Sequence, residues 1–335
     1  MSEIDSVLEN DWHAVACSKD CPPGNLQSVR LLGKNLVLWR GHTPNSSIVA
    51  QDDFCPHRGT ALSLGKIIND YLQCGFHGWQ FDCNGKCLKV PASAKNKLPK
   101  AVVKTYACQE HMGLVWVCLG NPTQDVWIFP EWHNSEYRKI YYGYGSQVFH
   151  SSGFRWMEST FDLSHFSFVH ENILGIPSQA TIDDYQVSVN TDGVVASNLR
   201  FWQPSPDGGK TGSVVNYEQH IYRPLTLYTV KEFDNKRLTI FFTVTPVEET
   251  SCIARGWVAM NYEDLTTEAE IPKFAQQLYE QDRPFVESQR PLKLPIGISD
   301  DTKASFPREI SVSSDRLSVA YRRWLKQKGI RFGVC

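Results

Sequence analysis

Short apolar runs, separated by turn residues, occupy the chain from Leu36 to about Gly120. Runs of this spacing predict a small antiparallel β domain. The turn residues Gly120-Asn121-Pro122 end the last run and predict a domain boundary, which divides the chain into residues 1–122 and 123–335. The predicted strands of the first domain are 35–40, 48–50, 71–73 and 113–118.

A second set of strand-like runs follows the boundary, together with segments of helical pattern. Strands and helices in this mixture predict a larger α+β domain, so the whole chain is assigned to the α+β class. The predicted strands are 185–189, 194–202, 213–222, 226–233, 237–245 and 252–261, and the predicted helices are 154–170, 267–288 and 314–328.

Composition narrows the class of protein. The chain has 335 residues, of which 41% are hydrophobic and 21% charged, as expected for a globular protein with two cores. A formal net charge of −2 offers no basic surface for nucleic acid, and no apolar run reaches the roughly 18 residues of a membrane span. The acidic start of the chain lacks the apolar core of a signal peptide, and we expect a cytoplasmic protein.

The ten cysteines do not form a pattern of disulfides. Most of them are scattered through a long chain without a secretory signal, so free thiols are expected. Cys83-Asn84-Gly85-Lys86-Cys87 could be half of a metal site, but Asn84-Gly85 predicts a turn between two strands.

Two short segments of the first domain combine cysteine with histidine. Cys55-Pro56-His57 and Cys74-Gly75-Phe76-His77 form the pattern C-x-H-x16-C-x2-H. Two thiolates and two imidazoles are the ligands of a Rieske [2Fe-2S] cluster. The alternatives are a tetrahedral zinc site or two unrelated pairs in a hydrophobic core. Zinc sites usually take pairs of like ligands, whereas each segment here supplies one of each kind, and this favours the cluster.

The larger domain contains a second set of candidate ligands. Asp162, His165 and His170 lie in one predicted helix, and two histidines with one carboxylate form the facial triad of non-haem Fe(II) sites. In a regular helix, residues five apart point about 140° away from each other. One metal could bind both histidines only if the helix bulges or unwinds, and we predict such a distortion. The alternative is two ordinary histidines in the core or on the surface.

The spacing Asp162-x2-His165-x4-His170, followed by Asp282 in the segment 279–289, resembles the α subunits of Rieske non-haem iron oxygenases. The resemblance extends over essentially the whole chain. It implies that His165, His170 and Asp282 bind a mononuclear Fe(II). It also implies that Asp162 is not an iron ligand but bridges to a cluster histidine of a neighbouring subunit, as a path for electrons.

The same resemblance implies the remaining parts of such an enzyme. The cofactors are a Rieske cluster and the mononuclear iron, with O2 as co-substrate. Because the chain has no nicotinamide or flavin motif, NAD(P)H acts only through a separate reductase. The expected assembly is a homotrimer, and the expected fold is a small antiparallel β Rieske domain followed by a helix-grip-like catalytic domain with a curved antiparallel sheet. The implied cluster ligands are Cys55, His57, Cys74 and His77.

Two details qualify the match. Ser159 stands where the family commonly has asparagine, so a shorter hydroxyl replaces an amide near the iron. Glu280 and Glu287 lie close to Asp282 and are weaker candidates for the carboxylate ligand.

Several segments, including Cys55-Pro56-His57-Arg58-Gly59, Glu280-Gln281-Asp282 and the C-terminal residues 314–335, are similar to cyanobacterial oxygenases of saxitoxin biosynthesis. This similarity implies a monooxygenase that hydroxylates a polar, ring-containing metabolite such as a guanidinium alkaloid. The alternative is an O- or N-demethylase or hydroxylase of a small aromatic compound, and a more remote one is a Rieske electron-transfer protein without catalysis. Acidic or amide groups in the pocket would favour the alkaloid, and Arg or Lys would favour an aromatic acid.

The alternation of residues 255–260 predicts which side chains face the substrate pocket. Either Trp257 and Ala259 or Val258 and Met260 should do so. Further aromatic candidates for the lining are Phe161, Phe166, Phe241 and Trp202.

Overall fold

The computed structural model describes residues 5–43, 46–93, 97–143, 147–209, 211–263, 268–297 and 309–335. Residues 1–4 of the acidic start and Thr267 of a predicted helix lie outside these ranges. The chain divides into two compact units, which we call the N-terminal unit, Ser6–Ile128, and the C-terminal unit, Phe129–Cys335 with Asp5. The predicted domain boundary after residue 122 stays a prediction.

The N-terminal unit is built around short antiparallel strands. Its described elements are α1 (Ser6–Glu9), β1 (His13–Cys17), β2 (Leu26–Leu31), β3 (Lys34–Trp39), β4 (Val49–Asp52), β5 (Lys66–Ile68), β6 (Tyr71–Gln73), β7 (Gln80–Phe81), β8 (Cys87–Lys89), β9 (Thr105–His111) and β10 (Leu114–Cys118). One sheet has the order β1-β10-β9-β4-β3-β2, and a smaller sheet has the order β5-β6-β7-β8.

The predicted strands of this unit correspond to β3, β4, β6 and β10. Among them, every residue of β10 is buried, and so are the last four of β3, but the equally buried β1 was missed, as were β2 and β5. The sequence analysis missed β9, in which the short apolar run Tyr106-Ala107-Cys108 is followed by three polar residues. It also missed β7 and β8, which have only two and three residues.

The C-terminal unit contains one antiparallel sheet with helices packed on it. Its described strands are β11 (Arg138–Tyr141), β12 (Gln186–Asn190), β13 (Gly193–Gln203), β14 (Ser213–Arg223), β15 (Thr226–Phe233), β16 (Lys236–Glu248) and β17 (Ser251–Met260), and its helices are α2 (Gly153–Phe161), α3 (Phe166–Val169), α4 (Glu270–Val286) and α5 (Arg316–Gln327). The sheet has the order β11-β17-β16-β15-β14-β13-β12. Helix α2 packs against β15, β16 and β17, α5 against β12 and β13, and α4 contacts β11 and α2. The predicted α+β class is confirmed.

The helix predicted over 154–170 is interrupted, as the predicted distortion requires, but the break lies before His165 rather than between the two histidines. Helix α2 ends at Phe161 because Asp162 adopts an extended conformation, and its carboxylate accepts a hydrogen bond from the N–H of Ser164. His165 and His170 then flank the short helix α3. The chain therefore leaves the helical conformation before His165 and again at His170, which has φ −111° and ψ 40°. These two departures allow both imidazoles to face one point.

Two smaller expectations are confirmed. All ten cysteines are free thiols. Asn84 and Gly85 turn the chain between β7 and β8, and Gly85 has a φ of 79°. Within the described ranges, no helix combines the length and the hydropathy needed to cross a lipid bilayer.

Candidate metal centres and substrate cavity

Two loops of the N-terminal unit carry the predicted cluster ligands and share one backbone pattern. In each loop, the N–H of the cysteine donates to the carbonyl five residues later, and the N–H of the residue four positions later donates back to the carbonyl of the cysteine. The partners are Thr60 and Gly59 for Cys55, and Trp79 and Gly78 for Cys74. The φ angles of Gly59 and Gly78 are 75° and 69°, a region in which glycine is favoured. The two loops are therefore built alike.

These loops bring two imidazoles and two thiols together. The ring centroids of His57 and His77 are 4.5 Å apart. Cys55 and Cys74, each 1% exposed, belong to the same group of buried residues in the hydrophobic core. Nδ1 of His57 is buried and has no hydrogen-bond partner in the part of the chain that the structure describes. Two buried thiols beside an unpaired imidazole nitrogen fit the ligand set of a Rieske cluster.

The thiol of Cys55 needs a nearby cation to ionise. Burial raises its pKa to about 11, although the backbone N–H groups of His57 and Arg58 oppose this shift by hydrogen bonding to the sulfur. The neighbouring Cys74 raises the pKa further. A bound metal ion deprotonates a coordinating thiol outright, so the binding of iron would convert the Cys55 thiol to a thiolate.

The three predicted iron ligands converge in the C-terminal unit. Nε2 of His165 lies 3.3 Å from Nε2 of His170 and 3.4 Å from Oδ1 of Asp282, and Nε2 of His170 lies 3.2 Å from the same oxygen. Ligand atoms about 2.1 Å from one metal ion are roughly 3.0–3.4 Å apart when the angles between them are near 90–110°. The triangle therefore fits one metal ion. Within the described residues, His165, His170 and Asp282 form a group whose ligand atoms all lie within 4.8 Å of one another.

The other nitrogen of each imidazole has its own partner. Nδ1 of His170 lies 2.9 Å from Oε1 of Gln281, and Nδ1 of His165 lies 3.4 Å from Oδ2 of Asp162. Both partners accept a hydrogen bond from an Nδ1–H, and this leaves each Nε2 unprotonated and free to bind metal. The sequence analysis missed Gln281, although its position next to Asp282 in α4 could have indicated it.

The charges of the site favour a bound cation. Burial opposes a charge on His165, but hydrogen bonds to Asp162 and Asp282 outweigh this effect and raise its pKa to about 9. Burial likewise opposes ionisation of Asp282, but hydrogen bonds from His165 and His170 hold its pKa below the usual value. Without a metal, a proton on His165 balances the buried carboxylate.

The remaining acidic candidates lie elsewhere. Glu280 pairs with Arg283, and Glu287 pairs with Arg283 and accepts the N–H of His150. Asp162 lies beside His165 but outside the triangle, and its side chain is 34% exposed. The bridge from Asp162 to a neighbouring subunit stays a prediction.

A cavity of about 480 Å³ opens beside the triangle. Its volume is in the range of small-molecule sites, and its lining includes Ser159 and all three converging side chains. One face of the sheet forms part of the lining through cross-strand neighbours: Tyr217 and Gln219 on β14, Lys231 and Thr229 on β15, Leu238 and Ile240 on β16, and Met260 and Val258 on β17.

The lining selects between the predicted alternatives on β17. Val258 and Met260 face the cavity, whereas the ring of Trp257 packs against Trp132, with centroids 5.0 Å apart. Phe166 also lines the cavity. The other aromatic candidates are not among the described lining residues: Phe161, Phe241 and Trp202.

The sequence analysis missed Gln219 and Lys231, two of the polar residues of this lining. Both occupy positions on the buried face of a strand, where a polar residue is unusual. That break in the apolar pattern is the signal that could have found them.

Comparison with known proteins agrees with this geometry. Residues 11–107 match the model of the Rieske [2Fe-2S] domain, and residues 155–329 match that of the vanillate O-demethylase oxygenase C-terminal domain. The methylxanthine N3-demethylase NdmB of Pseudomonas putida is 28% identical over 97% of this chain and 90% of its own. A vanillate O-demethylase oxygenase subunit of a Pseudomonas strain is 32% identical over 58% of this chain and 52% of its own.

Solved structures give the same fold. The structure of Pseudomonas putida NdmA with caffeine superposes with a TM-score of 0.78 and 24% identity, and covers 96% of this chain and 92% of NdmA. The described sheets and helices therefore follow a known two-part architecture, a small β domain followed by a larger domain with one antiparallel sheet.

Proposed function

Because the chain belongs to the Rieske non-haem iron oxygenases with a vanillate O-demethylase type of C-terminal domain, we propose that it removes a methyl group from a small aromatic or heterocyclic compound. The observation that carries this proposal is the triangle of His165, His170 and Asp282 at the wall of the cavity. Relatives that are named N- and O-demethylases support it.

We assign the cluster to Cys55, His57, Cys74 and His77, and the iron to His165, His170 and Asp282. When bound, the cluster supplies single electrons and the iron activates O2 next to the substrate. The protein residues prepare these sites. Asp162 and Gln281 hold the protons on Nδ1 of the two iron-site histidines, so that both Nε2 atoms face the metal.

Asp162 is also our candidate for the electron path between subunits. Its Oδ2 contacts His165 and its Oδ1 accepts the N–H of Ser164, which fixes the carboxylate. Hydrogen bonds from His165 and Ser164 hold its pKa below the usual value, although burial opposes ionisation. An ionised and partly exposed carboxylate can accept a second imidazole N–H from a neighbouring chain.

The proposed reaction balances with O2 and two electrons. One oxygen atom enters a C–H bond of an N- or O-methyl group, and the other leaves as water after taking up two electrons and two protons. The hydroxymethyl product then loses formaldehyde, and the hydrogen of its hydroxyl group moves to the nitrogen or oxygen that carried the methyl group. The electrons come from NAD(P)H through a separate reductase, which we include in the proposal.

A homotrimer and a cytoplasmic location are further parts of the proposal. The trimer would let Asp162 of one subunit meet a cluster histidine of the next. Hydroxylation of a saxitoxin-like alkaloid receives no support from the relatives named above, none of which has a saxitoxin-related name.

The test is turnover of the iron-loaded protein with NADH and a surrogate reductase. The panel contains methoxybenzoates, N-methylated purines and guanidinium alkaloids, and the products are identified by mass spectrometry with trapping of formaldehyde. We expect one formaldehyde for each substrate that loses a CH2 unit. A product that keeps all its carbon atoms and gains one oxygen would contradict demethylation and favour simple hydroxylation.

His165→Ala separates enzyme from electron carrier. If the protein is an oxygenase, this variant keeps the visible spectrum of the cluster and loses product formation. An electron-transfer protein would reduce an external acceptor at the wild-type rate and would form no product in either version.

A further inference from the structure

Lys231 lies on the cavity-facing side of β15. Its cross-strand neighbours are Tyr217 on β14 and Leu238 on β16, and all three side chains line the cavity that contains the iron-site triangle. The side chain of Lys231 is only 8% exposed. Among the described lining residues there is one lysine and no arginine, so Lys231 is the basic side chain of this lining apart from the imidazoles.

The ammonium group of Lys231 is poorly compensated. Its Nζ donates to the carbonyl of Pro206 at 2.6 Å, which occupies one of its three protons, and it lies 5.1 Å from the centroid of the Phe233 ring. The carboxylate whose charge acts on it is that of Asp207, but Asp207 is hydrogen-bonded to Lys236. Burial lowers the pKa of Lys231 to about 7, and Asp207 opposes this shift only in part. Both partners, a carbonyl and a ring face, are uncharged, and a buried cation with uncharged partners is costly unless an anion joins it.

A second polar group faces the same space. Gln219 is adjacent to Tyr217 on the buried face of β14 and lines the cavity. Its Oε1 is buried and has no hydrogen-bond partner in the described ranges. It can accept a hydrogen bond from a hydroxyl or N–H group of a ligand. The cavity therefore has a polar side on β14 and β15, and an apolar side formed by residues such as Ile240, Val258 and Phe166.

We infer that Lys231 is a specificity-determining residue that binds an anionic oxygen of the substrate, which makes the substrate an aromatic or heterocyclic acid. The inference rests on the proposed function and refines its substrate class. A carboxylate at Lys231 would leave the ring against the apolar lining. A guanidinium compound would place a second cation beside a buried ammonium group, and the carboxylate of Asp207, which also lines the cavity, is already hydrogen-bonded to Lys236, so the same geometry disfavours it.

The rival explanation is structural. Lys231 could serve only to hold the loop that contains Pro206, Asp207 and Gly208, all of which line the cavity. The pair of Lys236 and Asp207 already fixes this loop. A purely structural lysine would affect acids and neutral ligands equally, whereas a substrate-binding lysine would affect acids alone.

The experiment compares matched ligands on matched variants. Binding of aromatic carboxylic acids and of their carboxamides to the iron-loaded protein is measured by calorimetry without O2, for wild type, Lys231→Met, Lys231→Arg and Lys293→Met. Lys293 pairs with Glu249 outside the described lining, and it controls for the loss of a lysine. Circular dichroism verifies that each variant is folded.

We expect the wild type to bind an acid more tightly than its amide, and Lys231→Met to lose about 10- to 100-fold in affinity for the acid. Amide binding should not change, Lys231→Arg should keep part of the preference, and Lys293→Met should behave as wild type. The inference is overturned if no acid is preferred over its amide, or if Lys231→Met weakens both equally.

The two proposals can fail separately. Demethylation of neutral compounds without any preference for acids would leave the proposed function in place and remove the role of Lys231. Conversely, acid binding that depends on Lys231, with a hydroxylated product that keeps its methyl groups, would leave the role of Lys231 in place and remove demethylation.

Discussion

The two proposed metal sites of this chain are encoded in different ways. The cluster site uses two loops with the same backbone hydrogen bonds, and each loop supplies its cysteine and histidine within four consecutive residues. The iron site combines the ends of a short helix with α4, and 111 positions separate His170 from Gln281. A local site is largely built by its own turn, whereas an assembled site depends on the packing of a whole unit. The following predictions test that difference.

Removing one ligand from each site should have the largest effect. We expect Asp282→Asn to lower turnover by about a thousandfold or more, because it removes the charged ligand of the iron, while the visible spectrum of the cluster persists. Cys74→Ser should remove that spectrum and leave iron bound. Iron analysis and absorption spectra of both variants provide the measurement, and loss of both metals in either variant would show that the sites are not independent.

Gln281→Leu should test the assembled site without touching a ligand. The acceptor for Nδ1 of His170 is lost, so the tautomer and ring orientation are no longer fixed, and metal affinity should fall about 10- to 100-fold. Iron competition assays measure this. The matched control is Glu280→Gln, the adjacent residue, whose partner is Arg283 at the exposed side of α4. Equal iron affinity in wild type and Gln281→Leu would contradict the role of this hydrogen bond.

Lys231 gives the cavity a pH-dependent cost in stability. Its pKa is about 7 in the folded protein against 10.5 ordinarily, so between these values the unfolded chain binds a proton that the folded chain does not. The free energy of unfolding therefore rises with pH across that window, by up to about 1.4 kcal/mol per pH unit. The cost of burying Lys231 is full below pH 7 and absent above pH 10.5.

Melting temperatures check this sign. Lys231→Met should melt above wild type at pH 7, by about 2–4 °C for each kcal/mol relieved, and the gap should narrow toward pH 10. Two ionisable groups beside Lys231 titrate outside this window: hydrogen bonding from Lys236 lowers the pKa of Asp207, and burial raises the pKa of Tyr217 well above its usual value. A gap that stays constant with pH would contradict the buried-amine explanation.

Gly59→Ala should have the smallest effect and should show how self-contained the cluster loops are. A side chain at φ 75° costs on the order of 1 kcal/mol, and the added Cβ would lie 2.9 Å from the ring of Phe54. We expect lower cluster occupancy with normal iron content. Gly329→Ala has a similar φ of 73° and nothing within 4 Å of the new Cβ, so it should cost stability alone. Equal cluster content in both variants would argue against a special role for the loop.

The same contrast explains what the sequence could predict. The cluster ligands could be recognised from spacing, because a short loop fixes its own geometry. Six of the seven described strands of the larger domain could be recognised from the sequence pattern, whereas β11 could not. The helix break at Asp162 could not be placed, because it depends on a hydrogen bond from Ser164 to that carboxylate. The sequence contains a signal for Gln281 and for Lys231, but it does not give their contacts, since these follow from the position of α4 and the register of the strands.

The distance in sequence between the iron ligands also has a mechanical consequence. A metal ion held by His165, His170 and Asp282 would act as a crosslink that closes a loop of more than a hundred residues, and such closures restrict the unfolded chain more as the loop grows. Chelation would cut this crosslink. Amide hydrogens of α4 should then exchange faster while those of β10, which lies in the other unit and is fully buried, stay protected.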